Sequence, residues 1–222
     1  FERALEEQRA RSRADRSRVA RELADVGRLE DWTVLEDGAE QRFVGYETRT
    51  SATEVLAFRV EGDRASLVLR SNPFYLESGG QVSDLGEVTG EGWTLRVEEL
   101  RRVAGWTAVE GSLMGTLPER VSAPPPATAA VAEIRHDTER NHTATHLLHA
   151  ALRAVLGEHV VQRGSLVAPD RLRFDFAHGS PMTEAEKREV ERRANEAIWA
   201  DHPVRIEHMA YSDAVRRGAM AL

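Results

Sequence analysis

From Gln41 to Glu110 the chain repeats one pattern, and that pattern restricts its fold more than any other feature. Short runs rich in Val, Leu, Thr, Phe and Trp (Gln41–Glu47, Glu54–Val60, Ala65–Arg70, Trp93–Glu98, Trp106–Glu110) alternate with turns that carry Gly or Asp. The turns include Glu61-Gly62-Asp63, Gly90-Glu91-Gly92 and Ala104-Gly105. Many short strands with turn signals between them predict a small antiparallel barrel or sandwich. Pro124-Pro125-Pro126 then imposes a stiff, extended piece that cannot donate backbone hydrogen bonds, and Ala127–Ile134 reads as a last strand.

The second half has a different rhythm. Asp137 is placed to cap a helix that runs through His142, His146 and Leu152 to Gly157. Val160–Val167 and Arg171–Phe176 read as strands. In the latter, Leu172, Phe174 and Phe176 share one face and Arg171, Arg173 and Asp175 the other. Pro181 and the capping box formed by Thr183 and Glu186 open a long helix to about Ala200. Pro203–Met209 alternates like a strand, and Ser212-Asp213 begins a short helix stopped by Gly218. Interleaved helices and strands of this kind form a two-layer α+β module. Ahead of the strands, Phe1 to Gly27 reads as a helix with sparse apolar residues, more a connector than a core element. The reading is therefore α+β in three parts: a helix over 1–28, a β-barrel over 29–135 and an α+β core over 136–222.

A net charge of −7 argues against a general nucleic-acid coat, although residues 1–28 hold eight Arg against six acids. A solvated helix face explains that local excess equally well. No apolar run approaches the length of a membrane span, and no secretory signal is visible at the N-terminus, which also lacks Met, as a fragment of a longer protein would. Cysteine is absent, which fits the cytoplasm and leaves any metal here to His, Asp or Glu.

Three stretches could carry chemistry. In Arg140-Asn141-His142-Thr143-Ala144-Thr145-His146, two imidazoles lie four residues apart, on one helix face, where both can meet one metal ion. The same residues also read as polar decoration beside Leu147, Leu148, Leu152 and Val155, and no second pair at ligand spacing supplies further donors. In Glu77-Ser78-Gly79-Gly80-Gln81, successive glycines permit positive φ and close backbone approach, and the Gln amide can hold a substrate group or a water; a tight hairpin turn is the alternative. Gln162, on a short strand soon after the His helix, can reach the same cleft or lie on the surface.

Taken together and in order, Pro73–Gln81, Arg140–Leu152, Gln162–Val167 and Arg171–Phe176 closely resemble the internal editing region of the alanyl-tRNA synthetase family. The resemblance spans nearly the whole chain. The Ala4-Leu5-Glu6-Glu7-Gln8 helix resembles the linker that leads from that family's tRNA-recognition domain into its editing barrel, which favours a full synthetase over a free-standing editing protein.

The resemblance implies a barrel followed by an α+β editing core that hydrolyses mischarged seryl- and glycyl-tRNA(Ala), within a parent enzyme that attaches alanine to tRNA(Ala) using ATP. Such a second site is needed because an alanine pocket discriminates poorly against a smaller residue or one extra hydroxyl. It implies His142 and His146 as zinc ligands, joined by a later Cys and His of a CxxxH motif expected beyond Leu222. It implies Thr145 and Gln162 as residues acting on the substrate, and Gly79, Gly80 and Gln81 as lining the cleft. The partner is the aminoacylated 3′ end of tRNA(Ala), with no membrane. No ATP-binding stretch is recognisable here, so activation of alanine lies elsewhere. Two other readings stay open: a tRNA-binding or structural module without activity of its own, and a free-standing editing hydrolase.

Overall fold

A computed structural model describes residues 29–118, 123–205 and 207–219. The helix expected over Phe1–Gly27 lies outside the described residues. The described residues divide into two units, one holding 29–78 together with those between Ser83 and Arg135, the other holding Gly79–Val82 and those from His136 onward.

The first unit is built from β1 (Thr33–Val34), β2 (Arg42–Phe43), β3 (Thr50–Glu61), β4 (Arg64–Leu69), β5 (Ser71–Asn72), β6 (Gly86–Gly90), β7 (Trp93–Val103), β8 (Trp106–Gly115) and β9 (Pro126–Val131). The strand order is β1-β3-β4-β8-β7-β6-β9, and β9 pairs back onto β3, which closes six strands into an antiparallel barrel. Closure rests on the length of β3. Its first half, Thr50–Glu54, pairs with β9, and its second half, Val55–Glu61, pairs with β4, with a register shift between Val55 and Ala57. A closed barrel leaves no unpaired edge to aggregate.

Alternation along β3 and β4 serves two cores. Val55, Leu67 and Leu69 face the barrel interior with Phe74, Val88, Leu95, Val97 and Val109. Leu56, Ala57 and Val68 face outward under Trp32, Val103 and Ala108, with Leu29 and Val34 packed against them. Both faces of β4 are thus covered, which is why Ala65–Leu69 is a continuous buried run rather than an alternating one. Each fully buried Leu or Val here is worth about 1.5–3 kcal/mol of transfer free energy.

The strands expected from the sequence are present with shifted ends, except that Gln41–Glu47 contributes only Arg42–Phe43 before turning. β6, which no apolar run announces, consists of Gly86-Glu87-Val88-Thr89-Gly90. Its glycines are there for contact: a Cβ on Gly86 would lie 2.1 Å from the Ala130 carbonyl oxygen of β9, and one on Gly90 would lie 2.3 Å from the Trp93 indole.

The second unit contains α1 (Arg135–Leu156) from its second residue onward, the hairpin β10 (Gln162–Val167) and β11 (Leu172–Phe176), α2 (Glu184–Trp199) and α3 (Tyr211–Arg216). Ala151 and Leu152 of α1, Val160 and Val190 of α2 form its core, with Phe174 and Phe176 packed against them. Thr183 accepts from the Glu186 backbone N–H while the Glu186 carboxylate accepts from the Thr183 N–H, so the capping box forms as its spacing predicts. The strand expected over Pro203–Met209 does not form. The described residues of that stretch are irregular and exposed, Val204 at 85%, so the alternation has no apolar surface to pack on and no partner strand.

Candidate functional site

The site lies in the second unit and begins with the geometry of α1. Thr138, Thr145, His149 and Leu152 are buried at helical spacing, His142 is half-buried, and His146 is exposed. The His142 and His146 rings stack with centroids 5.1 Å apart and planes 18° from parallel. Both imidazoles therefore leave the helix side by side, as the four-residue spacing predicts.

Gln81 comes from 61 residues earlier in the chain and is itself buried at 5% exposure. Its Oε1 lies 2.6 Å from His142 Nδ1. An amide oxygen can only accept, so His142 Nδ1 carries the proton and Nε2 keeps its lone pair. Burial, and then the charge of neighbouring His146, hold His142 below the usual imidazole range, which keeps it neutral at neutral pH. A neutral imidazole whose far nitrogen is hydrogen-bonded is the form that ligates a metal.

Gln81 is held in place by its backbone. It bridges in parallel to Val167 of β10, Val82 N–H donates to Val167 O (3.0 Å), and Val167 N–H donates to Gly80 O (2.7 Å). Gly79 (φ +61°) and Gly80 (φ +86°) turn the chain into this pairing. At Gly80 the glycine is required twice over, because a Cβ would also lie 2.7 Å from the Ser165 carbonyl oxygen.

Thr145 is 4% exposed and its hydroxyl donates to the Asn141 carbonyl (2.8 Å), which leaves the oxygen free to accept. Gln162 is half-buried at the first position of β10, opposite Phe176, beside a register irregularity between Gln162 and Gly164. Two contacts were not readable from sequence. The Asn141 amide donates to Ala168 O (2.8 Å) and Pro169 O (3.2 Å), tying α1 to the β10–β11 turn, and the buried His149 ring lies 4.9 Å from that of Phe174. An Asn directly before the first His of a helix was the only hint of the former.

Toward a metal, His142 supplies one nitrogen donor in suitable form, and the His146 ring stacked beside it brings a second nitrogen. Among the described residues no group of three His, Cys, Asp or Glu could hold an ion. The pair fits half of a zinc site, since such sites take three or four protein donors.

A family model described as "tRNA synthetases class II (A)" matches residues 1–120, more than half of the chain. The chain belongs to this tRNA synthetase family. Relatives extend the likeness across the His helix, which lies beyond the matched residues. An alanine–tRNA ligase of Halorhodospira halophila is 42% identical over 236 residues, covering 100% of this chain and 25% of that protein. Those of Roseiflexus sp. and Thermus thermophilus are 42% and 44% identical, again over 100% of this chain and 25% and 26% of theirs. The chain thus spans about a quarter of the length of these synthetases. No helix among the described residues is long and apolar enough to cross a membrane.

Proposed function

We propose that this synthetase segment is the editing region of a cytoplasmic alanine–tRNA ligase, hydrolysing seryl- and glycyl-tRNA(Ala) so that the parent enzyme delivers only alanyl-tRNA(Ala). The observation that carries the proposal is the hydrogen bond between Gln81 and His142, because it joins the Gly-Gly-Gln stretch and the HxxxH helix into one site. A shared site gives the two motifs a common task that neither has as a turn or a core helix.

In the reaction, water adds to the carbonyl of the aminoacyl ester, the bond to the terminal ribose oxygen breaks, and that oxygen takes up a proton. The residues of this chain have separable parts. Gln81 fixes the tautomer of His142 and leaves its Nε2 for the metal. The Thr145 oxygen accepts from the hydroxyl of a serine substrate, a contact that alanine cannot make. Gln162 offers an amide that donates and accepts, and Gly79 and Gly80 allow the substrate to approach the backbone. Zinc held by His142 and His146 would supply a positive charge that orients a ribose or amine group of the substrate or acidifies water.

The two-donor count favours a second reading, a tRNA-binding or structural module without activity of its own. Deacylation of seryl-tRNA(Ala) by the full-length ligase decides between them. Replacing both His142 and His146 by Ala is expected to abolish it while aminoacylation with alanine continues. Hydrolysis at the original rate would refute the editing role of the helix.

A further inference from the structure

The first unit carries a concavity of about 580 Å³, within the range that holds a small ligand, whose rim includes Phe43, Tyr46, Tyr75, Trp106, Arg102 and Glu40. Its aromatic side is unusual in being exposed and at the same time firmly held. Tyr46 is 81% and Phe43 38% exposed, with the two rings edge to face at 5.0 Å and Tyr75 a further edge contact at 6.4 Å from Phe43.

The backbone beneath these rings is fixed. β2 pairs in parallel with β5, Val44 N–H donates to Asn72 O, and the Thr48 and Glu47 N–H groups both donate to Val44 O. The buried Arg135 guanidinium donates to Gly45 O (2.9 Å). Gly45 itself is needed to seat Phe43, since a Cβ there would lie 2.5 Å from that ring and 2.4 Å from Pro73 O. Holding an 81%-exposed tyrosine on such a loop contributes little to the core and leaves a rigid aromatic face in water.

Two charges complete the rim. Arg102 and Glu40 are both exposed and neither enters an ion pair among the described residues. One exposed tyrosine face with Phe43 at its edge, and a guanidinium and a carboxylate without ion pairs among the described residues, match the three parts of a nucleotide: a base to stack, a phosphate, and exocyclic amino or ribose hydroxyl donors.

We propose that this groove takes one unpaired nucleotide of the RNA substrate, its base stacked on the exposed Tyr46 ring with Phe43 set at right angles beside it, and its phosphate on Arg102. The proposal rests on the tRNA reading of the family but not on the editing chemistry. Base stacking on an aromatic side chain is tolerant of sequence, so the groove accepts different bases with similar affinity.

The test is an NMR titration of the labelled chain with single-stranded trinucleotides (CCA and UUU) and, in parallel, with an aromatic tripeptide. Saturable shifts are expected at the Tyr46 amide and at the Trp106 indole N–H, which donates to Ala39 O beside the groove. Tyr46→Ala, exposed enough to leave folding intact, should weaken trinucleotide binding about 5- to 100-fold, Tyr46→Phe should restore it, and Arg102→Ala should flatten its salt dependence. Absence of shifts at millimolar trinucleotide, insensitivity to Tyr46→Ala, or equal affinity for the tripeptide would each overturn the proposal. Because trinucleotide binding is read without any hydrolysis, its outcome is separate from that of the deacylation assay.

Discussion

His142 Nδ1 and Gln81 Oε1 lie 2.6 Å apart although 61 residues separate them in the chain, and this one bond sets which nitrogen of His142 carries the proton. Removing an outer partner of a ligating His typically costs about 10- to 100-fold in metal affinity or activity. Gln81→Ala is expected to do so in seryl-tRNA deacylation, and Gln81→Glu, which still accepts from Nδ1, to retain most of it. The ¹⁵N shifts of the His142 ring check the cause independently of turnover: they should report a single Nδ1–H tautomer in the native protein and a mixture in Gln81→Ala. An unchanged tautomer would refute this role.

Gly80 and Gly79 both have positive φ, but only Gly80 is crowded, with the Ser165 carbonyl oxygen 2.7 Å from where a Cβ would stand. Gly79→Ala should therefore cost about 1 kcal/mol of unfolding free energy from backbone strain, and Gly80→Ala clearly more because Ser165 must also shift. Urea unfolding of the two variants gives the comparison, and equal costs would contradict the crowding.

Arg135 and Asp84 form a buried pair at 2.9 Å, with side chains 5% and 3% exposed. Arg135 also donates to Pro73 O and Gly45 O, and Asp84 accepts from Tyr75 N–H. Arg135→Met should destabilise the protein by about 3–5 kcal/mol, the usual cost of leaving one partner of such a pair buried. Thermal unfolding measures this, and a change under 1 kcal/mol (roughly the value of an exposed pair) would show that the site relaxes to admit water.

Glu186 is held below the ordinary carboxylate value of 4.5, first by the Thr183 backbone N–H and then by the Thr183 hydroxyl. A depressed carboxylate contributes its stabilisation above its unfolded value, and loses it as pH falls through the lower folded value. The Thr183 amide proton should therefore titrate below pH 4.5, and in Thr183→Ala the Glu186 transition should move up toward the ordinary value. Loss of the cap itself should cost about 1 kcal/mol.

The strands of the barrel were legible as short apolar runs between turn residues, although Ala65–Leu69 is buried on both faces and does not alternate, and α1 was legible from its cap at Asp137 and its run to Gly157. Where an alternating pattern met no partner, as at Val204, the strand did not form, and where a strand carried glycine for close packing and only one apolar residue, as in Gly86–Gly90, no run announced it. The two histidines were visible as a pair for an equally local reason, their spacing. Their likeness to a family motif supplied the rest of the expectation, including Thr145 and Gln162, whose roles belong to the proposal.

Sequence by itself determined which segments could be helix or strand, because periodicity and capping chemistry act within a few residues. Only the tertiary structure decided that β9 returns to β3 and closes the barrel, that Gly80 passes against Ser165, and that Gln81 meets His142. Those are pairings between distant segments, chosen by hydrogen-bond register and close packing, and no local pattern encodes them.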